Sequence, residues 1–338
     1  MFAAIRAIEY HLPERILAND ELACAFPDWS PQKIADKTGI VERRIAAPGE
    51  CASDLAFAAA HKLFASGACR PDEVDFLLLC TQSPDYFLPT TACILQDRLG
   101  LPTTAGALDY NLGCSGFVYG LSLAKGLIET DQAAKVLLLT AETYSKFLHP
   151  HDKSVRPLFG DAAAATLVHR RHDAAPGGFP WIGPFVFGTD GKGMANLIVS
   201  GGGMRRPDQS PAASEPDTPA SACGHLYMNG PEIFAFTLDA VPKAVQALLA
   251  RAERTIDEID LFVFHQANRY MLEHLRDKLQ IPHDKFVVAM SHVGNTVSST
   301  IPIALRDSSA RQLLPPGKLI MLVGFGVGYS WAATLMRS

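Results

Sequence analysis

Asp72-Glu73-Val74-Asp75-Phe76-Leu77-Leu78-Leu79-Cys80 is matched, 185 residues further on (257 less 72), by Asp257-Glu258-Ile259-Asp260-Leu261-Phe262-Val263-Phe264-His265. Two more blocks follow in the same order. Leu112-Gly113-Cys114-Ser115 reads against Val293-Gly294-Asn295-Thr296 at an offset of 181 (295 less 114), and Lys135-Val136-Leu137-Leu138-Leu139 against Lys318-Leu319-Ile320-Met321-Leu322 at 183 (318 less 135). A constant order at a nearly constant offset reads as one half written twice. Two such copies, stacked by a pseudo-twofold, would bring Cys114, His265 and Asn295 toward one point between them. That convergence predicts an enzyme.

The length of 338 residues agrees. Beyond roughly 250–300 residues single cores tend to split, and two halves of about 170 residues sharing a broad interface fit the chain. The junction is placed among the turn residues and charges of His169–Gly178, giving halves over 1–172 and 173–338. Composition is that of a soluble globular protein, 48% apolar and 19% charged. A net charge of −5 gives a nucleic-acid role no overall support. The longest apolar runs, such as Phe76–Cys80 and Leu319–Val323, are strand-sized, short of the 18 or so residues of a membrane span. Arg6 and Glu9 interrupt the amino-terminal stretch, which therefore lacks a signal-peptide core, and a cytoplasmic location is expected. Seven Cys with no C-x-x-C pair fit reduced thiols better than a disulfide framework.

Short Leu-rich or β-branched runs alternate with helical patterns, the signature of an α/β protein with internal strands. Strands are expected near 2–9, 75–81, 106–111, 135–141, 163–169, 182–187, 261–265, 285–290, 318–324 and 328–336. Helices are expected near 30–38, 53–66, 90–99, 115–129, 231–252, 268–279 and 298–312. Residues 200–222, rich in Gly, Pro, Ser and Asp, read as a surface loop.

Cys114 follows a strand and Gly113 and opens a helix. There, unpaired backbone N–H groups and the positive end of the macrodipole favour thiolate. The alternative is a small buried hydrophobe, the reading kept for the other six Cys. His265 ends an apolar strand; Asn295 lies in a stretch that could equally be a plain turn. The tail Gly324-Phe325-Gly326-Val327-Gly328-Tyr329 invites a dinucleotide reading, but too few residues follow it for a βαβ unit. A Gly-rich loop beside a thiolate can instead offer N–H groups to an oxyanion. His149 and His151 have a metal-like spacing without further ligands nearby, so no metal site is expected.

Gly113-Cys114-Ser115-Gly116-Phe117, Phe159-Gly160-Asp161, His265-Gln266-Ala267-Asn268, Gly294-Asn295-Thr296, Gly324–Trp331 and Thr38-Gly39-Ile40-Val41-Glu42-Arg43-Arg44-Ile45-Ala46 together resemble the β-ketoacyl-acyl-carrier-protein synthase III group of the thiolase superfamily. The resemblance spans nearly the whole chain and implies an α/β, duplicated, five-layered αβαβα thiolase-like fold and a homodimer. It implies catalytic roles for Cys114 (acyl-accepting nucleophile), His265 and Asn295 (donors to a malonyl thioester), with the backbone N–H groups of Cys114 and Val327 as oxyanion hole. Leu88, Met228 and Phe325 would line the acyl tunnel, Leu88 from the partner subunit. Related activities are disfavoured: a degradative thiolase needs a second Cys late in the chain, and none follows Cys223; a hydroxymethylglutaryl-CoA synthase needs a Glu near Thr81-Gln82-Ser83.

Several positions depart from the group. Lys33 and Lys153 stand where a Trp and an Arg clamp the CoA adenine, Pro231 replaces an Asn, and Arg269 comes one position early. Acyl groups are therefore expected from either acyl-CoA or an acyl carrier protein, with a malonyl thioester as extender and no bound cofactor. Lys33, Lys37, Arg43, Arg44 and Arg269 form either a basic rim for an acidic carrier or a solvated charged face. The competing activity on the same fold is non-decarboxylating acyl transfer from Cys114 to an alcohol or amine, which would not need Asn295.

Overall fold

The computed structural model describes residues 1–175, 178–207 and 224–338. Within them the duplication is visible in four of the first sheet's five strands. One sheet holds β1 (Phe2–His11), β4 (Phe76–Cys80), β5 (Gly106–Tyr110), β6 (Lys135–Glu142) and β7 (Ala162–Arg171) in the order β1-β7-β6-β4-β5. The other holds β8 (Ile182–Thr189), β11 (Leu261–Phe264), β12 (Leu319–Gly326) and β13 (Ser330–Arg337) in the order β8-β13-β12-β11. Strand directions correspond: β4 is parallel to β6 as β11 is to β12, and β7 and β13 run antiparallel to both their neighbours. One sheet thus takes all its strands from before residue 172 and the other from after 181.

Five layers follow from which faces are apolar. Along β4, Leu77 and Leu79 face one core cluster and Leu78 another; along β12, Ile320 and Leu322 face one side and Met321 and Val323 the other. Both faces of β4 and β12 are buried, which is why these strands read as unbroken apolar runs. Helices α5 (Gly116–Glu129) and α8 (Thr300–Ala310) touch strands of both sheets and form the middle layer. Helices α3 (Ala52–Ala65) and α4 (Thr91–Arg98) cover the outer face of the first sheet, α6 (Gly230–Ala252) and α7 (Arg269–Lys278) that of the second. By length and hydropathy α6 would pass for a membrane span, contrary to the strand-sized limit expected above, but it packs on β8, β12 and β13.

The repeat is corrected by one residue. Phe76 pairs with Val136 and Leu261 with Ile320, so Val136 corresponds to Ile320 at an offset of 184, and Lys135 to Leu319 rather than Lys318. Parity decides it: Leu138 and Leu322 share the central core, whereas an offset of 183 would set Leu138 against the outward-facing Met321.

A strand expected over 285–290 is replaced by a single bridge, Phe262 to Phe286. The reason is Gln266, whose Nε2 donates to the Val287 carbonyl (3.3 Å) and whose Oε1 accepts the Ala289 N–H (2.7 Å). A side chain takes the groups a ladder would use. Sequence reasoning also missed α1 (Asn19–Ala25) and two small ribbons, β2 (Arg15–Ala18) with β3 (Glu42–Ile45) and β9 (Leu197–Val199) with β10 (Leu226–Met228). The expected helix near 30–38 is α2 (Pro31–Thr38). Of the loop expected over 200–222, residues 208–222 lie outside the described ones, as does Cys223; residues 200–207 are bends and a turn.

Candidate active site

Cys114, His265 and Asn295 line one cavity of about 80 Å³, between the halves. Leu158, Phe159, Leu197, Met228, Ile233, Met271 and Phe325 make most of its wall apolar, the usual character of a small-molecule site with few convergent polar groups.

Each polar group is held by an element. Cys114 lies in the loop from β5 to α5. The helix begins at Gly116 with Ser115 as N-cap, so the sulfur precedes the cap by one residue. The second sheet comes right up to it: a Cβ on Gly326 would lie 2.9 Å from Cys114 Cβ and 3.0 Å from Sγ, and one on Gly324 2.7 Å from the Ser115 Cα. Only glycine permits that approach. The motif Gly324–Tyr329 therefore serves as a close-packed wall against the Cys114 loop. Val327 lies within it, and its Cγ1 is 2.8 Å from where a Cβ on Gly113 would be.

The thiolate expectation is overturned. Cys114 is 6% exposed, and burial, with the Glu142 carboxyl adding to it, pushes its thiol well above the ordinary cysteine range. The macrodipole offers roughly 0.3–1 kcal/mol, under one pK unit, which is too little to offset desolvation. The resting Cys114 sulfur is a thiol.

His265 directly follows β11, and its N–H donates to the Val323 carbonyl (2.8 Å). Its Nδ1 lies 2.7 Å from the Thr300 Oγ1, and its ring stands edge-on to Phe325 with centroids 5.5 Å apart. Burial lowers its pKa to about 3, so the imidazole is neutral at physiological pH. Asn295 is fixed at both ends. Its N–H donates to the Leu158 carbonyl (2.8 Å) and its carbonyl accepts the Gly160 N–H (3.0 Å). Its Oδ1 accepts the Val297 N–H (2.9 Å), and its amide nitrogen has no acceptor among the described residues.

Glu142, at the end of β6, lies beneath this assembly unexposed. It accepts from the Gln82 N–H (3.0 Å), Ser83 Oγ (3.3 Å) and Ser298 Oγ (2.9 Å), tying the first half to the turn that follows Asn295. Burial raises its pKa to about 8. Nothing in the local sequence marks this residue; only the two-half geometry does.

The other expected residues divide between the cavity and the surface. Met228 and Phe325 line the cavity. Leu88 does not; with Tyr86 and Phe87 it forms a solvent-facing run, 82% exposed itself. Lys33 Nζ donates to the Asp28 carbonyl (3.0 Å) and Lys153 pairs with the Asp28 carboxylate (3.7 Å), so both gather at Asp28 and not on the cavity wall. Lys33 and Lys37 also lie over the Trp29 ring. Arg269 is exposed and packs on Gly39, next to the cavity residue Asn268. Arg43 leaves the basic rim altogether: it is fully buried and donates to the carbonyls of Leu17 and Pro157 and to Asn19 Oδ1.

The chain is similar to known proteins over nearly its whole length. The family described as 3-oxoacyl-[acyl-carrier-protein] synthase III matches residues 108–191, and its C-terminal part matches 249–338. β-Ketoacyl-[acyl-carrier-protein] synthase III of Caldanaerobacter subterraneus is 35% identical over 99% of this chain and 97% of its own length; a Streptomyces coelicolor relative is 36% identical over 96% and 94%. Among solved structures, a 3-oxoacyl-(acyl-carrier-protein) synthase III shares 59% identity with a TM-score of 0.95, each chain fully covered. The priming β-ketosynthase of the R1128 polyketide pathway shares 28% with a TM-score of 0.87, covering 99% and 96%. The chain belongs to the 3-oxoacyl-acyl-carrier-protein synthase III family.

Proposed function

We propose that this family member carries out decarboxylative Claisen condensation, with Cys114, His265 and Asn295 as its catalytic residues. Cys114 sulfur attacks an acyl thioester carbonyl, and the donor's thiol leaves, giving an acyl-Cys. A malonyl thioester then enters. His265 and Asn295 donate hydrogen bonds to its thioester oxygen, so that loss of CO2 leaves the electron pair in an enolate stabilised where charge develops. The enolate carbon attacks the acyl-Cys carbonyl, whose oxyanion rests on the Cys114 and Val327 N–H groups. Collapse expels the Cys114 thiolate and releases a β-ketoacyl thioester.

What carries this reading is that one thiol and two neutral side chains suited to donate share one mostly apolar cavity. A carboxamide fixed by Val297 suits stabilisation of an enolate; simple acyl transfer would leave it without a task. We further infer that donors and extender reach the cavity as CoA or carrier-protein thioesters, and that the working unit is a homodimer. The test is intact-protein mass spectrometry with a panel of acyl-CoA and acyl-carrier substrates, followed by CO2 release from a malonyl thioester. Cys114→Ala should abolish the mass increase. Asn295→Ala should acylate normally yet release CO2 about 10²–10³-fold more slowly, the usual cost of one such donor. Wild-type protein that acylates but releases no CO2 from any malonyl donor would hand the chain to the acyltransferase reading.

A further inference from the structure

A neutral imidazole can stabilise an enolate oxygen only through a nitrogen that carries the proton. With Nδ1 of His265 held at Thr300, the nitrogen left for the cavity is Nε2. The ring has one proton and two places for it. On Nε2 it makes His265 a donor; on Nδ1 it leaves a lone pair facing the developing negative charge.

The Thr300 hydroxyl stands between two groups that could take its hydrogen, His265 Nδ1 at 2.7 Å and the Val297 carbonyl at 3.1 Å. That carbonyl already accepts the Thr300 backbone N–H. It has that donor without the hydroxyl and also stands as a hydrogen-bond partner of the His265 ring, whereas Nδ1 has no other donor among the described contacts. The shorter distance falls on the same side. Resting on the condensation reading above, we propose that Thr300 is a positioning residue whose hydroxyl donates to Nδ1 of His265, confines the ring proton to Nε2 and so aims a hydrogen-bond donor at the thioester oxygen. The same turn that orients Asn295 through the Val297 N–H thereby orients His265 through Thr300, four residues after the Gly294-Asn295-Thr296 motif.

Thr300→Val keeps the β-branched shape and removes the hydroxyl. The Val297 backbone then remains as the ring's partner, and with no donor left at Nδ1 the tautomer protonated there becomes accessible. The experiment pairs nitrogen NMR of ¹⁵N-histidine-labelled protein, with His265→Gln to assign the signal, and separate measurement of the two half-reactions. The wild type should show His265 protonated at Nε2 and Thr300→Val at Nδ1. Thr300→Val should release CO2 from a malonyl thioester about 10²–10³-fold more slowly while Cys114 acylation changes little, and Thr300→Ser should restore both tautomer and rate. A wild-type ring protonated at Nδ1, or a Thr300→Val protein that keeps Nε2–H and full CO2 release, would overturn the assignment. If wild type never releases CO2, the functional reading fails, and the NMR tautomer alone then decides the role of Thr300.

Discussion

At the scale of single residues, environment sets chemistry more than identity does. Cys114, His265 and Asn295 were legible because a repeated sequence placed them at corresponding points, and they do share one cavity. Their protonation states were not legible, because desolvation depends on what the other half of the chain brings over them. The sulfur shows this best. Held above the ordinary thiol range by burial, it is almost entirely protonated near neutrality, and the thiolate fraction grows about tenfold per pH unit below its pKa. Labelling of Cys114 by iodoacetamide should therefore keep accelerating from pH 7 through pH 9 without levelling off. A plateau reached near pH 7 would show a depressed thiol and restore the helix-start argument. The cavity's apolar residues, such as Leu158 and Met271, were invisible for a different reason. Apolar side chains on a strand, loop or helix carry no mark that separates a tunnel wall from a core.

At the scale of elements, long periodic segments were legible and contact-dependent ones were not. Strands β4, β6 and β12 announce themselves by burying both faces. The ribbon of β2 and β3 has four residues per strand, including Arg15, Arg43 and Arg44, and is too short and too charged to register as a strand pattern. Segment 285–290 has the apolar look of a strand, but Gln266 occupies its backbone groups. Two predictions belong here. Gly326→Ala would drive a methyl within 3.0 Å of the Cys114 sulfur, so acylation should fall sharply while circular dichroism keeps the native spectrum, with stability lowered by about 1–3 kcal/mol, as overpacking typically costs. Unimpaired acylation would mean that β12 does not form the wall of the nucleophile. The second concerns Glu142, which couples β6 to the turn after Asn295. Its folded pKa is raised to about 8 from an ordinary 4.5. A carboxyl of that kind takes up a proton on folding, so its contribution is most favourable below pH 4.5 and is lost as pH climbs toward 8, by up to about 1.4 kcal/mol per unit. The melting temperature of Glu142→Gln relative to wild type should therefore rise steadily between those limits. A difference independent of pH would show that the carboxyl stays ionised in the fold.

At the scale of the whole molecule, the two halves bury most sheet faces between layers of helix, and the first sheet ends in two edge strands, β1 and β5, of which β5 lies beside an exposed apolar run. On β5, Leu108 is 44% exposed. The Asp109 carboxylate accepts the N–H groups of Thr91 and Ala92 at 2.7 Å each, which anchors the preceding segment beside the same edge. That segment exposes Tyr86, Phe87 and Leu88 by 63%, 80% and 82%. An open strand edge and a contiguous run of large apolar side chains are each a liability for an isolated chain, and a second copy related by a twofold axis would cover both at once. Sedimentation velocity should accordingly give a dimer for the wild type. Phe87→Asp and Leu88→Asp, which place charge on that surface without touching the cavity of their own chain, should shift the equilibrium toward monomer. If Leu88 also borders the partner's acyl site, acylation should fall in Leu88→Asp by more than the loss of dimer explains, which a comparison with Phe87→Asp at matched monomer fraction would reveal. Two variants that remain fully dimeric would mean that the exposed run serves some other contact and that the edge of β5 is covered in another way.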